Sequence, residues 1–370
     1  MEDNTIEPSL LTILACPRDG GPLSVVGSRV TCVGGHHYPI ISGVPVMLLD
    51  DMRDTLWVAS ASRKVAQLAC LKCNPEPYED SYFLDTLGID PEHRAPVRRE
   101  IEEGRFGEVD PVVRYSVADS CGRLYKRLVG HLSTYPIPDI RLSRGRGEFL
   151  LDIGCNWGRW SVAASRKGYR PVGVDPSLGA VLAARRVSKQ LNAPCMFVVA
   201  DARNLPFHPS SFDVVFSYSV LQHFSKQDAR TALSEAARVV KDEGTCLIQM
   251  ANAIGLRSLQ LQMRRGFREA KGFEVRYWTL PELLSTFSKL IGPSSAFVDG
   301  YFGLGIQPSD AGMLTPAGRV VVYASELLRR LSNNLPLMRY FADSLYIRAV
   351  RQRTRREEYP SLAPSAVVNG

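Results

Sequence analysis

Three aspartates, a glycine-bearing loop and one histidine are the residues of this 370-residue chain whose types and spacing suggest chemistry. The phrase Leu151-Asp152-Ile153-Gly154-Cys155-Asn156-Trp157-Gly158 follows an apolar run and leads into a helix-favouring one. Glycines at a strand-to-helix turn allow a tight bend and let a ligand approach bare backbone. Asp175 ends the next apolar run, 23 residues beyond Asp152, where a carboxylate can take both hydroxyls of a ribose. Asp201 ends the third. The loop lacks the G-x-G-x-x-G spacing of dinucleotide sites, and Asp152 would repel a pyrophosphate while suiting a cofactor that carries positive charge. His223, with an ordinary pKa near 6.5, is the best general-base candidate for an oxygen or acidic carbon acceptor. It could equally order the helix that follows, and both roles stay open.

A second group lies near the N-terminus. Cys32-Val-Gly-Gly-His36 is a C-x3-H knuckle, and Cys16 is followed three residues on by Asp19. Zinc takes four ligands, commonly as two such knuckles, and a carboxylate can serve as one of them. Cys16, Asp19, Cys32 and His36 therefore form a candidate metal set; the other reading is a metal-free β unit held by its small core. Cys70-Leu-Lys-Cys73 is a further pair that could complete a site with Cys16 and Cys32. Cys155, Cys195 and Cys246 lie in or beside apolar runs and read as small buried hydrophobes.

Certain elements must position these groups. From Glu148 onward, the runs FLLDIG, PVGVD, CMFVVAD, FDVVFSYS and TCLIQMA alternate with helical patterns, the signature of an open parallel sheet with helices on both faces. Ligands of such sheets bind beyond the carboxyl ends of the strands. The helix after His223 is expected to start in a Ser225/Asp228 capping box, to bury Ala229, Leu233, Ala237 and Val240, and to stop at Gly244. Residues 51–145 mix helix-favouring runs (62–71, 95–103 and 119–132) with many prolines, and supply a connector in which Tyr125 could close over a ligand.

Two resemblances follow from these residues. The segment around 8–50, closing in Gly-His-His-Tyr-Pro and Gly-Val-Pro, resembles the zinc-ribbon domain of activator subunits of tRNA and protein methyltransferases; Asp19 departs from its usual cysteine. Residues 146–252 closely resemble class I S-adenosylmethionine (SAM) methyltransferases, chiefly through Asp201-Ala-Arg-Asn-Leu-Pro-Phe and Ser211-Phe-Asp-Val-Val-Phe-Ser. That resemblance implies an α/β, Rossmann-like seven-stranded sheet preceded by a small zinc-ribbon-like domain and a helical connector. It implies that Asp152, Gly154 and Gly158 bound the methionine end of SAM, with Asn156 replacing the middle glycine of the loop. Asp175 would take the ribose, Asp201 and the Ala202 backbone the adenine, and the segment from Ser217 to His223 would face the methyl group.

The expected domains are 1–50, the ribbon-like unit; 51–145, the connector; 146–252, the SAM-binding core; 253–351, the rest of the sheet with a substrate cap; and 352–370, a disordered tail. Leu256, Leu259, Met263 and Phe267 share one helical face among Arg257, Arg264, Arg265, Arg268 and Lys271, where related quinone and lipid enzymes carry lids or membrane-touching segments. A net charge of +7 is compatible with an anionic partner, while 45% hydrophobic and 22% charged residues exclude a disordered or fibrous chain. No run approaches the ~18 apolar residues of a membrane span and the first residues are acidic, so a cytoplasmic enzyme is expected. The leading expectation is methyl transfer to a small-molecule or lipid-like acceptor. The alternatives are an RNA methyltransferase, and a SAM-binding pseudoenzyme that activates a partner.

Overall fold

The computed structural model describes residues 5–51, 57–71, 82–89, 91–104 and 107–352. The Cys70/Cys73 pair and the expected tail beyond residue 352 fall outside what can be described. After a short helix α1 (Pro8–Leu11), strands β1 (Leu23–Val26), β2 (Arg29–Cys32), β3 (His37–Ile41) and β4 (Val44–Pro45) make a small antiparallel sheet in sequential order. Helices α2 (Trp57–Leu71), α3 (Pro91–Glu102) and α4 (Pro111–Cys121) follow. The expected helix over 119–132 is broken, because Gly122 leaves α4 at φ 109° and the chain continues as a 3-10 segment, Arg123–Leu128.

The main sheet holds β5 (Phe149–Ile153), β6 (Arg170–Asp175), β7 (Met196–Val199), β8 (Phe212–Ser217), β9 (Val240–Ala251), β10 (Ser294–Gly300) and β11 (Ser344–Val350). Its strand order is β10-β11-β9-β8-β5-β6-β7, with β11 antiparallel to both neighbours and every other pair parallel. The order reverses between β5 and β8, the place where an open α/β sheet leaves a crevice. Helices α5 (Arg159–Arg166), α6 (Leu178–Gln190), α7 (Lys226–Val239), α8 (Leu256–Arg264), α9 (Leu280–Leu290) and α10 (Pro316–Leu331) accompany the strands. Beyond β10 the cap over 301–343, which contains α10, precedes the final strand.

Ser225 caps α7 as expected, its hydroxyl accepting from the Asp228 backbone. The helix ends earlier than its sequence suggests: Val240 turns extended and opens β9 directly, so Gly244 lies inside the strand. The face α7 buries is Ala229, Ala232, Leu233, Ala236 and Val239. Cys246 is buried in β9, consistent with a packing role. The N-terminal sheet is continuous with the core, since Cys16, Val30, Tyr38 and Met47 pack in one cluster with Val172, Val198 and Phe207. Met47 N donates to Val199 O at 2.8 Å, Ala15 N to Pro206 O at 3.0 Å and His208 N to Ile13 O at 2.9 Å, so this unit lies along β7.

Candidate active site

The ends of β5, β6, β7 and β8 surround a cavity of about 400 Å³. Gly154, Asn156, Asp175, Asp201 and Ala202 line it, and Val58, Leu87, Val112 and Ser116 of the connector contribute the opposite wall. Gly154 has φ 75°, and a β-carbon there would fall 2.2 Å from Val220, so the turn requires glycine. Asn156 adopts φ 47°, the left-handed conformation expected of the residue most tolerant of it after glycine. The Asp175 carboxylate accepts from Asn156 N at 3.0 Å and Ser177 N at 2.9 Å, tying the loop to the end of β6. Burial raises its pKa to about 6 against the opposing pull of those two bonds. Asp201 accepts from Arg203 N, Nε and Nη2 at 2.8, 2.9 and 2.7 Å, which fixes its orientation.

Three of the residues expected at the cofactor, Asp152, Gly158 and Ser217, are not among those that line this cavity. Asp152 is 1% exposed and accepts from Ser161 Oγ at 2.7 Å, so its carboxyl faces α5 beneath the loop. Burial, with a smaller push from the charge of Asp175, raises its pKa to about 7. Ser217 is fully buried and donates to Ile153 O at 3.0 Å, bonding β8 to β5. Gly158 heads α5 at φ 82°, where a β-carbon would meet Ala184 at 3.0 Å; its small size serves packing against α6. Strand pleat explains Asp152: Leu151 and Ile153 point into one core layer, leaving Leu150 and Asp152 to the other.

A second chamber of about 990 Å³ adjoins the first, and Gly154, Asn156, Tyr218, Ser219, His223 and Phe273 line both. His223 stacks on Phe273 with ring centroids 3.8 Å apart, and its Nδ1 lies 2.7 Å from Phe273 O. A carbonyl only accepts, so Nδ1 carries the proton and Nε2 is left with the lone pair. Burial is the main reason that the ring's pKa falls to about 4, keeping it neutral at physiological pH. Ser219 sits at φ 63°, held by its N–H donating to Gln249 Oε1 at 2.8 Å. Strain of this kind persists where the surroundings over-determine it.

Side chains that sequence reading did not bring together also build the chamber. Arg159 is 5% exposed; its guanidinium donates to Pro136 O at 2.7 Å and to Asp310, which also accepts from the Tyr125 hydroxyl. Burial pushes the Tyr125 hydroxyl well above its usual range, so it remains a donor. Tyr125 is thus a buried partner of the cap that also lines the larger chamber. Tyr218 OH donates to Asp299 Oδ2 at 2.8 Å and accepts from Gln307 Nε2 at the same distance. Both networks clamp 301–343 onto the sheet, joining residues up to 185 positions apart, so no local pattern announces them.

In the N-terminal unit, one ligand atom each from Cys16, Asp19, Cys32 and His36 lies within 4.8 Å of the others. His36 Nδ1 is 3.5 Å from Cys16 Sγ, 3.2 Å from Cys32 Sγ and 3.1 Å from Asp19 Oδ2. A tetrahedral zinc with bonds of ~2.0–2.3 Å would set its ligands about 3.3–3.8 Å apart, so the donor set fits such an ion. Gly34 is part of the fit, since a β-carbon there would fall 2.4 Å from Asp19 Oδ2.

Against this geometry, residues 150–244 match the family model described as a methyltransferase domain. This segment is a methyltransferase domain. The chain is similar, at 34% identity over 103 residues, to the mouse protein named probable tRNA methyltransferase 9B, a match covering 28% of this chain and 21% of that protein. It is 29% identical over 133 residues to the tRNA (carboxymethyluridine(34)-5-O)-methyltransferase alkbh8 of Xenopus tropicalis, covering 34% and 20%. It is 33% identical over 104 residues to the O-methyltransferase resE of Aspergillus sclerotiorum, covering 27% and 39%. The matches span about a fifth to two fifths of the relatives' lengths. No helix among the described residues is long and apolar enough to cross a membrane.

Proposed function

We propose that the chain is a SAM-dependent methyltransferase that carries a methyl group to a small-molecule or lipid-like acceptor by in-line displacement. The observation that supports it most is the pair of joined cavities, a smaller one beneath the strand-end acids and a larger one under the cap, meeting at Tyr218, Ser219 and His223. In this reading Asp175 takes the ribose hydroxyls, Asp201 and the Ala202 backbone hold the adenine, and Gly154 with Asn156 cradles the methionine end. Asp152 acts through the loop, by holding Ser161, and through its charge. SAM supplies a methyl group already bonded to a good leaving group, so the chain's task is chiefly alignment and exclusion of water. His223 Nε2 stands at the junction as a neutral acceptor for an acceptor's proton.

Incubating the protein with methyl-labelled SAM and a metabolite extract, then identifying labelled products by mass, tests this reading. Labelled small molecules are expected, and label confined to RNA would overturn it. RNA methylation is the second reading, supported by relatives named as tRNA methyltransferases and by the positive charge. The N-terminal unit we read as a zinc-ribbon-like domain whose Cys16, Asp19, Cys32 and His36 hold one structural zinc ion.

A further inference from the structure

Large apolar side chains left in solvent are not spread evenly over the surface. Fifteen of the twenty among the described residues lie between Ile254 and Phe341, which makes this region the molecule's unusual face. On α8 and the turn after it, Leu256, Leu259, Met263 and Phe267 are exposed at i, i+3, i+7 and i+11. On α10, Val320, Tyr323, Leu327 and Leu331 repeat that spacing, also exposed. Each set forms one stripe along its helix, the arrangement a soluble protein ordinarily turns inward. Leu335, Leu337, Tyr340 and Phe341 extend the apolar surface, and Asn252, just before α8, donates to Tyr340 O at 2.7 Å and Ala342 O at 2.8 Å. Both helices flank one opening, since Leu256, Gln260, Phe302 and Val321 all line the larger chamber.

Charge is concentrated in the same place. Residues 254–277 carry six basic side chains against two acidic ones, and 316–341 carry four against one. These segments together hold a net +7, the whole excess of the chain, so the rest of the sequence balances. Arg257 and Arg264 border the α8 stripe, and Arg319 and Arg330 border that of α10.

We propose that this arginine-rimmed apolar face docks on an anionic lipid surface. Apolar stripes beside basic residues are what a helix lying in a membrane interface presents. A nucleic acid would engage the arginines but leave the exposed leucines, methionine and valine unused, its stacking surfaces being aromatic. A second copy meeting this face symmetrically would oppose like charges. On the proposed reading of the larger chamber as the acceptor site, docking opens that chamber onto lipid, which suits an amphiphilic acceptor. The docking itself does not depend on methyl transfer.

The experiment is flotation of the full chain, without SAM, on phosphatidylcholine vesicles with and without phosphatidylglycerol. Binding to the anionic vesicles is expected, weakening with salt. Leu259→Glu/Met263→Glu on α8 and Val320→Glu/Leu327→Glu on α10 should each abolish it. Arg264→Gln should lower partition about fivefold, as one basic side chain near such a surface contributes ~1 kcal/mol. These positions are exposed, and retained SAM affinity by calorimetry will show the variants folded. The proposal is overturned if the wild type ignores anionic vesicles, or if the glutamate variants bind as well as it does. It is also overturned if a short RNA displaces the vesicles and binds the glutamate variants unchanged, or if gel filtration shows a dimer that they split. Failure here with labelled product still formed would leave the transfer reading intact; bound vesicles with no transfer would do the reverse.

Discussion

Replacing Asp175 with asparagine should weaken SAM binding and flatten its dependence on pH. Asparagine keeps one acceptor oxygen, whereas the Asn156 and Ser177 amides bond to the two separate carboxylate oxygens at 3.0 and 2.9 Å, so one of these loop bonds is lost as well. The larger loss is the charge in the two proposed bonds to the ribose. Bonds to a charged acceptor contribute about 1.5–3 kcal/mol and neutral ones about 0.5–1.5, so two weakened bonds remove about 2–3 kcal/mol, on the order of 30- to 150-fold in Kd. The pH term follows from burial, which raises this carboxyl to about 6. Below that pH the free protein is protonated and must lose the proton to bind, so affinity falls on acidification, by about tenfold between pH 8 and pH 5. Calorimetric titration of SAM into wild type and Asp175→Asn across that range measures both effects. Binding by the variant within twofold of wild type, or with the wild-type slope, would refute the role of Asp175.

Asp152→Asn should stabilise the SAM-free protein above neutrality. The carboxyl's folded pKa of about 7 lies above its ordinary 3.8, so the fold binds the extra proton between those values and stability falls as pH rises through the window. The variant removes that penalty, at most about 4 kcal/mol, and melting curves from pH 5 to 8 should diverge upward from wild type; parallel curves would contradict it. His223→Ala should lower turnover by ~10²-fold or more if Nε2 takes a proton, with SAM affinity little changed. Because the ring titrates near 4, the wild-type rate at saturating SAM, where the Asp175 effect on binding drops out, should show no His limb around 6.5, and such a limb would count against the environment described. Cys32→Ser should lose the one zinc ion per chain expected by elemental analysis and lower the melting temperature; a metal-free wild type would dismiss the site.

The sheet was legible because its strands are continuous apolar runs ending in acids, and the positive φ of Asn156 was legible from the glycine it replaces. The face on which a strand residue lands was not. Asp152 and Ser217 sit at strand ends beside the cleft, yet pleat and burial turn both side chains to protein partners. The end of α7 was misplaced because Val240 stops the helix by becoming a strand residue, with no glycine to mark the change. Arg159, Tyr125 and Asp310 lie on three separate elements, and only the tertiary fold makes them one buried group. The amphipathic pattern of α8 was plain, but period alone cannot say whether an apolar stripe faces the core or the solvent; here it faces solvent.

The position of the N-terminal unit against β7 has a practical consequence. A terminal strand of a sheet offers unpaired amides and carbonyls to any other strand and is a common start of aggregation. In this chain Met47 and Val46 occupy that line beside Val199. Removing the first fifty residues would therefore uncover a sticky edge as well as delete an appendage. The same edge leads directly into Ala200, Asp201 and Ala202, so whatever loosens the cysteine–histidine cluster would be felt at the Asp201 end of the cleft.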